Sequence, residues 1–164
     1  MTEEIELKVG RLEDLDLAQQ QRLVQIINEA FGKFHWLFST QRTSLEGLSG
    51  EIGDSDLLLL TITETNEIVG VAYTHAENEE LYFGMAAVDP ARQGKGLGGQ
   101  LLEGAEELAR KGGFVRVRLK AVAEMGNVAY YARRGYLIVG QENMPAGEWD
   151  SLHPFTVATM QKAV

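Results

Sequence analysis

The stretch VDPARQGKGLGGQLL, Val88 to Leu102, places four glycines within six positions, between an apolar run and a run of helical periodicity. A glycine-dense turn joining a strand to an amphipathic helix restricts the chain to α/β arrangements in which a helix N-terminus opens onto a strand end. Such a terminus carries unpaired N–H donors and the positive end of the helix dipole, and glycine lets a bulky anion approach the backbone. The turn therefore reads as a phosphate-binding element, with Gln93, Gly94, Lys95, Gly96, Leu97 and Gly98 as its candidate contacts and Arg92 beside them.

Two familiar phosphate motifs fail on this stretch. A P-loop requires Ser or Thr after the lysine to ligate magnesium, and Lys95 is followed by Gly96. Gly94, Gly96 and Gly99 match GxGxxG, but a dinucleotide fold places its glycines directly after an early strand, with an acidic residue about 20 positions on. Here DPAR intervenes, the turn sits in mid-chain and the next strand ends on Lys120.

The charge distribution agrees with an anion at this turn. Residues 1–91 carry 17 acidic and 5 basic side chains, residues 92–134 carry 4 and 9, and the remainder 3 and 1. The glycine turn opens the only basic segment, while a cationic ligand is favoured near the acidic part. A net charge of −9 argues against nucleic acid as the partner. With no cysteine, a disulfide framework, a thiolate metal site and a Cys nucleophile are excluded. His35, His75 and His153 are too scattered for a metal site. No run of 18 apolar residues occurs and MTEEIELKV has no signal-like apolar core, so the expectation is a cytoplasmic protein that spans no membrane.

Periodicity orders the rest into one domain, residues 1–164. IELKV alternates as a strand, and the following 20 residues from Leu12 to Phe31 carry a helical stripe. Residues 32–52 suggest one or two short helices. Three apolar runs over 56–63, 67–76 and 80–88, separated by TN and EN turn signals, form an antiparallel meander. The helix after the glycines ends at Gly112 and Gly113; FVRVRLKAV alternates as a strand; MGNVAYYARR suits a short helix ended by Gly135; YLIVGQ and PFTVATMQ close the chain as strands.

Taken whole, VDPARQGKGLGGQLL closely resembles the acetyl-CoA-binding motif of the GCN5-related N-acetyltransferases (GNAT), with Gln93, Gly96 and Gly98 at the motif's places. One strand later, NVAYYARRGY resembles the family's second signature, and the resemblance extends over most of the chain. It implies an α/β fold with a mixed, mostly antiparallel sheet of about seven strands flanked by helices. It implies acetyl transfer from acetyl-CoA to a primary amine by direct attack, with no metal. Alternatives of the same fold are a non-catalytic acyl-CoA-binding sensor and an acyltransferase with another acyl chain or a hydroxyl acceptor. The partners implied are a small-molecule or peptide amine and, as an option, a second copy in a homodimer.

The resemblance also assigns residues. The strand before the turn and the strand after the helix should splay, with the pantetheine arm along Met85 to Val88, pairing with backbone groups of Ala86 and Val88 beside Ala87. A backbone N–H there would polarise the thioester carbonyl. Asn127 matches the residue that bonds the arm, although alone it reads as a helix N-cap. Tyr131 matches the acid that protonates the departing thiolate, and Tyr130 reads as core. The family's basic Glu, eleven residues before the Gln, is here Tyr82. Glu80, two residues earlier on the same strand face, becomes the candidate base through water, and otherwise belongs to a solvated turn. Phe34, Trp36, Phe38, Trp149 and Phe155 are candidate walls of the acceptor pocket, or else core.

Overall fold

The computed structural model describes residues 3–164. Its strands are β1 (Ile5–Arg11), β2 (Asp56–Ile62), β3 (Ile68–Glu77), β4 (Glu80–Val88), β5 (Arg116–Val122), β6 (Leu137–Met144) and β7 (Phe155–Ala163). The helices are α1 (Leu17–Phe31), α2 (Leu45–Ile52), α3 (Leu97–Lys111) and α4 (Asn127–Arg133). All seven strands join one sheet in the order β1-β2-β3-β4-β5-β7-β6, antiparallel throughout except between β4 and β5. This is the mixed, mostly antiparallel sheet flanked by helices that the sequence implies.

β2 shows why the helices lie on both faces. Its four leucines, Leu57 to Leu60, are buried on each side, and period 2 sends Leu58 and Leu60 one way and Leu57 and Leu59 the other. Leu58 and Leu60 pack under Leu101, Leu102 and Ala105 of α3. Leu57 and Leu59 pack with Leu23, Ile26 and Ile27 of α1 and Leu48 and Ile52 of α2. Each face thus closes its own apolar cluster, with the sheet as the wall between them.

The first helix starts later than its apolar stripe suggests. Leu12–Asp14 form a single 3-10 turn, and Asp16 caps α1 by accepting from the Gln19 N–H at 2.8 Å. The Gln19 side chain returns the bond to the Asp16 N–H at 3.0 Å, a capping box that fixes the start. Residues 32–52 resolve into a 3-10 turn at Gly32–Phe34 and α2, capped by Ser44 on the Gly47 N–H. β5 begins at Arg116 instead of Phe114. Among the described residues no helix is long and apolar enough to cross a membrane.

β4 positions the site. Tyr73 of β3 pairs with Gly84 and Val71 with Ala87, so one residue of β3 faces two of β4. Met85 takes the extra place with φ +52°, which makes a β-bulge. Before it Leu81 and Phe83 face α3; after it Ala86 and Val88 face α3, and Met85 and Ala87 face α1 and α2. The parallel pairing of β4 with β5 spans only Glu80 to Tyr82. Beyond Tyr82 the two strands part, as the family resemblance implies.

The turn out of β4 is anchored by buried Asp89. Its carboxylate accepts from Arg22 of α1 at 3.0 Å, from Arg92 at 2.8 Å and from the Ala91 N–H at 3.1 Å. Burial pushes its pKa up, but the Ala91 N–H and the two guanidinium groups outweigh burial and hold it below the usual Asp value. A depressed carboxylate contributes stability above its unfolded value and loses it as pH falls through the folded one. Asp89→Asn should lower the melting temperature by about 5 °C at pH 7. In a pH series of thermal melts, that gap should close as the pH falls below about 3.8.

Candidate active site

Gly96 caps α3 with φ +78° and no side-chain partner. The helix's first bond runs from the Gln100 N–H to the Gly96 carbonyl at 3.1 Å, so the N–H groups of Leu97, Gly98 and Gly99 begin α3 without helical acceptors. Gly94 also has positive φ, +82°, and a Cβ on either glycine would project into open space. The turn therefore presents bare backbone donors to whatever lies in front of it.

What lies in front is the free edge of β4. The Asp89 N–H donates to the Val69 carbonyl of β3 at 2.8 Å. Strand alternation then turns the backbone groups of Val88 and Ala86 to the opposite edge, where β5 has departed. The Gln93 side chain reaches the Val88 carbonyl there at 3.4 Å.

The turn, this edge and α4 enclose a cleft of about 350 Å3. Ala86, Ala87 and Val88 line it from β4; Gln93, Gly94, Gly96, Leu97 and Gly98 line it from the turn; Asn127 and Tyr131 line it from α4. All of these were singled out from the sequence. Lys95 was too, but it is exposed and outside the lining. Asn127 is not the cap of α4: Gly126 holds that place with φ +78°, which leaves the Asn127 side chain to the cleft.

The two adjacent tyrosines take different places. Tyr131 is the one packed against the α3 core cluster, edge-on to Tyr136 at 6.0 Å. Burial, followed by Tyr130 and by Tyr82 across the gap, pushes the Tyr131 hydroxyl up to about 12. It therefore stays protonated over the ordinary pH range, as a proton donor must. Tyr130, expected in the core, instead lines the cleft with the Arg134 guanidinium 4.8 Å from its ring centroid.

Glu80 does not suit a base. Its carboxylate accepts from Arg116 at 2.9 Å and Arg118 at 3.3 Å, at the closed end where β4 and β5 still pair. Burial raises its pKa, but these hydrogen bonds prevail and hold it below the ordinary value. It lies outside the α3 cleft, whose lining contains no carboxylate.

Sequence reasoning missed Arg134. It lines the cleft, and its Nη2 lies 2.5 Å from where a Cβ on Gly99 would sit, over the first turn of α3. Among the described residues no carboxylate lies within 4 Å of it, whereas Arg92, the other arginine of the lining, is shared between Glu3 and Asp89. The available signal was its place four residues after Tyr130 in the basic segment, the spacing that stacks a guanidinium on a ring.

On the other face of the sheet a second cleft of about 490 Å3 is lined by Glu51, Asp54, Tyr73, His75, Tyr82 and Arg118, among others. The Tyr73 and Tyr82 rings lie 6.0 Å apart, and a Cβ on Gly84 would strike both at 2.8 Å. Only glycine fits there, one residue before the bulge. The five aromatics expected to wall an acceptor pocket do not form one wall. Phe34 lines the α3 cleft, and Phe155 is buried with Phe38 and Trp149 each 5.2 Å from its ring. That knot fastens residues 36–39 to the β6–β7 connection, where the Leu152 N–H donates to the Leu37 carbonyl at 2.7 Å.

The Acetyltransferase (GNAT) domain family matches residues 24–150, and the chain belongs to that family. No curated protein matches it. Among solved structures, the ribosomal-protein-S18-alanine N-acetyltransferase of Escherichia coli superposes with a TM-score of 0.72 at 18 % identity, covering 97 % of this chain and 94 % of that one. An acyl-CoA N-acyltransferase from Pseudomonas aeruginosa gives 0.71 at 21 %, covering 98 % and 100 %. A GNAT family acetyltransferase from Elizabethkingia anophelis, crystallised with acetyl-CoA bound, gives 0.71 at 15 %, covering 98 % of both chains. At these identities the likeness is one of fold.

Two binding outcomes follow. Gly96→Val should abolish acetyl-CoA binding in calorimetry while the chain stays folded, because a β-branched residue resists φ +78° and fills the space before the donors. Arg134→Gln should weaken CoA binding about tenfold, with the loss shrinking for a pantetheine fragment that lacks the phosphates.

Proposed function

We propose that this protein transfers acetyl from acetyl-CoA to a primary amine by direct attack, with residues 1–164 acting as one domain. The observation that carries this reading is the meeting, in one cleft, of the orphan donors of α3 with the unpaired edge of β4 at Ala86 and Val88. A diphosphate suits the first and an amide-bearing arm suits the second, as an added strand would. Coenzyme A joins both chemistries in one molecule and supplies an activated acetyl thioester. The chain's part is to hold the diphosphate on Gly94 to Gly98, align the arm with Ala86, Val88 and Asn127, and offer an N–H to the thioester carbonyl.

Tyr131 donates a proton to the leaving sulfur in this reading, which its buried and raised hydroxyl favours. The amine approaches from the second cleft, which lies on the opposite face beside Gly84 and Tyr82. The neighbour that acetylates an alanine of ribosomal protein S18 makes a peptide N-terminus one candidate acceptor. A small-molecule amine is the other.

One observation favours a second reading, an acyl-CoA-binding sensor without turnover. No carboxylate lines the α3 cleft, and Tyr82 stands at the family's base position. Incubation with acetyl-CoA and an amine panel, with CoA release followed by thiol reagent, separates the two: acetylated product supports transfer, and binding without release supports the sensor. Tyr131→Phe should lower turnover about 100-fold with acetyl-CoA affinity nearly unchanged, and Tyr130→Phe should keep the turnover. Because the Tyr131 hydroxyl is pushed up to about 12, its ionisation should not bend the wild-type rate profile between pH 8 and 10.

A further inference from the structure

We propose that Glu51, on the last turn of α2, accepts the proton of the attacking amine in the second cleft; this rests on the acetyl-transfer reading above. An amine that has attacked a thioester carries a proton that must leave, and the α3 cleft has no carboxylate to take it. Glu80 is saturated by Arg116 and Arg118. The acceptor must come from the face on which the amine arrives.

Strand register ranks the groups on that face. The gap between β4 and β5 opens past Tyr82, at the level of Gly84 and its partner Tyr73. Glu77 pairs with Glu80, at the closed end, and Asp54 lies in the turn after α2. His75 pairs with Tyr82, two residues short of Tyr73. Glu51 lines the second cleft together with the two tyrosines that cover Gly84. Its carboxylate is aimed by Arg42, which donates to both oxygens at 3.0 Å while leaving it about one-third exposed.

The tyrosine hydroxyls register its presence. Burial raises Tyr82, and Glu51 raises it further; burial and Tyr82 raise Tyr73, followed by Glu51, which lines the same cleft. Both rings stay protonated and can relay a proton from nitrogen to Glu51. The charged groups around this carboxylate are Arg42 from the segment before α2, Asp54 from its own turn, His75 and Glu77 from β3, and Arg118 and Lys120 from β5.

The step balances without a further reactant. The amine nitrogen bonds to the acetyl carbon and the carbon–sulfur bond breaks. The nitrogen's proton ends on Glu51, the sulfur's proton comes from Tyr131, and solvent returns one to the other. Donor and acceptor thus sit on opposite faces of the sheet, with the reaction centred on the gap that opens past Tyr82.

The test uses the full chain with acetyl-CoA and three probes: a short peptide with N-terminal alanine, spermidine and tryptamine. With the best acceptor, Glu51→Gln should lower kcat about 100-fold, remove the acid limb of kcat against pH, and leave the acetyl-CoA Kd within about twofold. Glu51→Asp should recover part of the rate, and His75→Gln should keep the acid limb. Turnover and acid limb surviving in Glu51→Gln would overturn the proposal, as would loss of acetyl-CoA affinity in that variant, which marks a structural role. Loss of the limb in His75→Gln instead would move the function to His75. Absence of turnover in the unmodified chain despite acetyl-CoA binding would remove the acetyl-transfer reading, and the proposal with it.

Discussion

Between the pairs Tyr73–Gly84 and Val71–Ala87, β3 has one residue and β4 has two. That single surplus, absorbed by Met85 at φ +52°, reverses which side chains face which helix layer, within the part of β4 that no longer pairs with β5. A strand that parts from its neighbour leaves backbone groups unpaired, which is costly in a folded interior unless something else bonds them. Ala86 and Val88 carry those groups toward the cleft where α3 begins. Inside the opening that begins after Tyr82, the bulge thus sets which groups face the α3 cleft, placing Ala86 and Val88 there.

Two further constraints hold this geometry. Asp89 ties the turn to α1 through Arg22 and to its own arginine through Arg92, so the donors of α3 are set relative to both helix layers. Gly84 lets Tyr73 and Tyr82 close over the strand from the other face. The chain thus has two clefts on opposite faces of the sheet, one apolar with a basic rim at Arg92 and Arg134, the other polar and mixed in charge.

Much of this was legible in the residues. Period 2 in the apolar runs and the 3.6-residue stripe after the glycines gave the element order, and the glycine turn located the α3 cleft, because both signals are local. The bulge left no such trace: GMAA reads as part of a continuous apolar strand, and nothing local announces a methionine at positive φ. Long-range partners were equally hidden. Arg116 and Arg118, which occupy Glu80, lie more than thirty residues away along the chain. Asn127 read as a cap because Asn caps helices often; Gly126 takes the place because its φ of +78° suits glycine. Tyr130 and Tyr131 are adjacent and alike, so only packing shows which meets the core and which meets Arg134.

The α3 cleft depends on the edge of β4 that no strand pairs, and amide hydrogen exchange reads that edge directly. In the free protein the Ala86 and Val88 amides should exchange fast for residues inside a sheet, and saturating acetyl-CoA should slow them at least about tenfold together with Leu97, Gly98 and Gly99. Acetyl-CoA binding that leaves all five amides unprotected, or protects only the second cleft, would contradict that dependence.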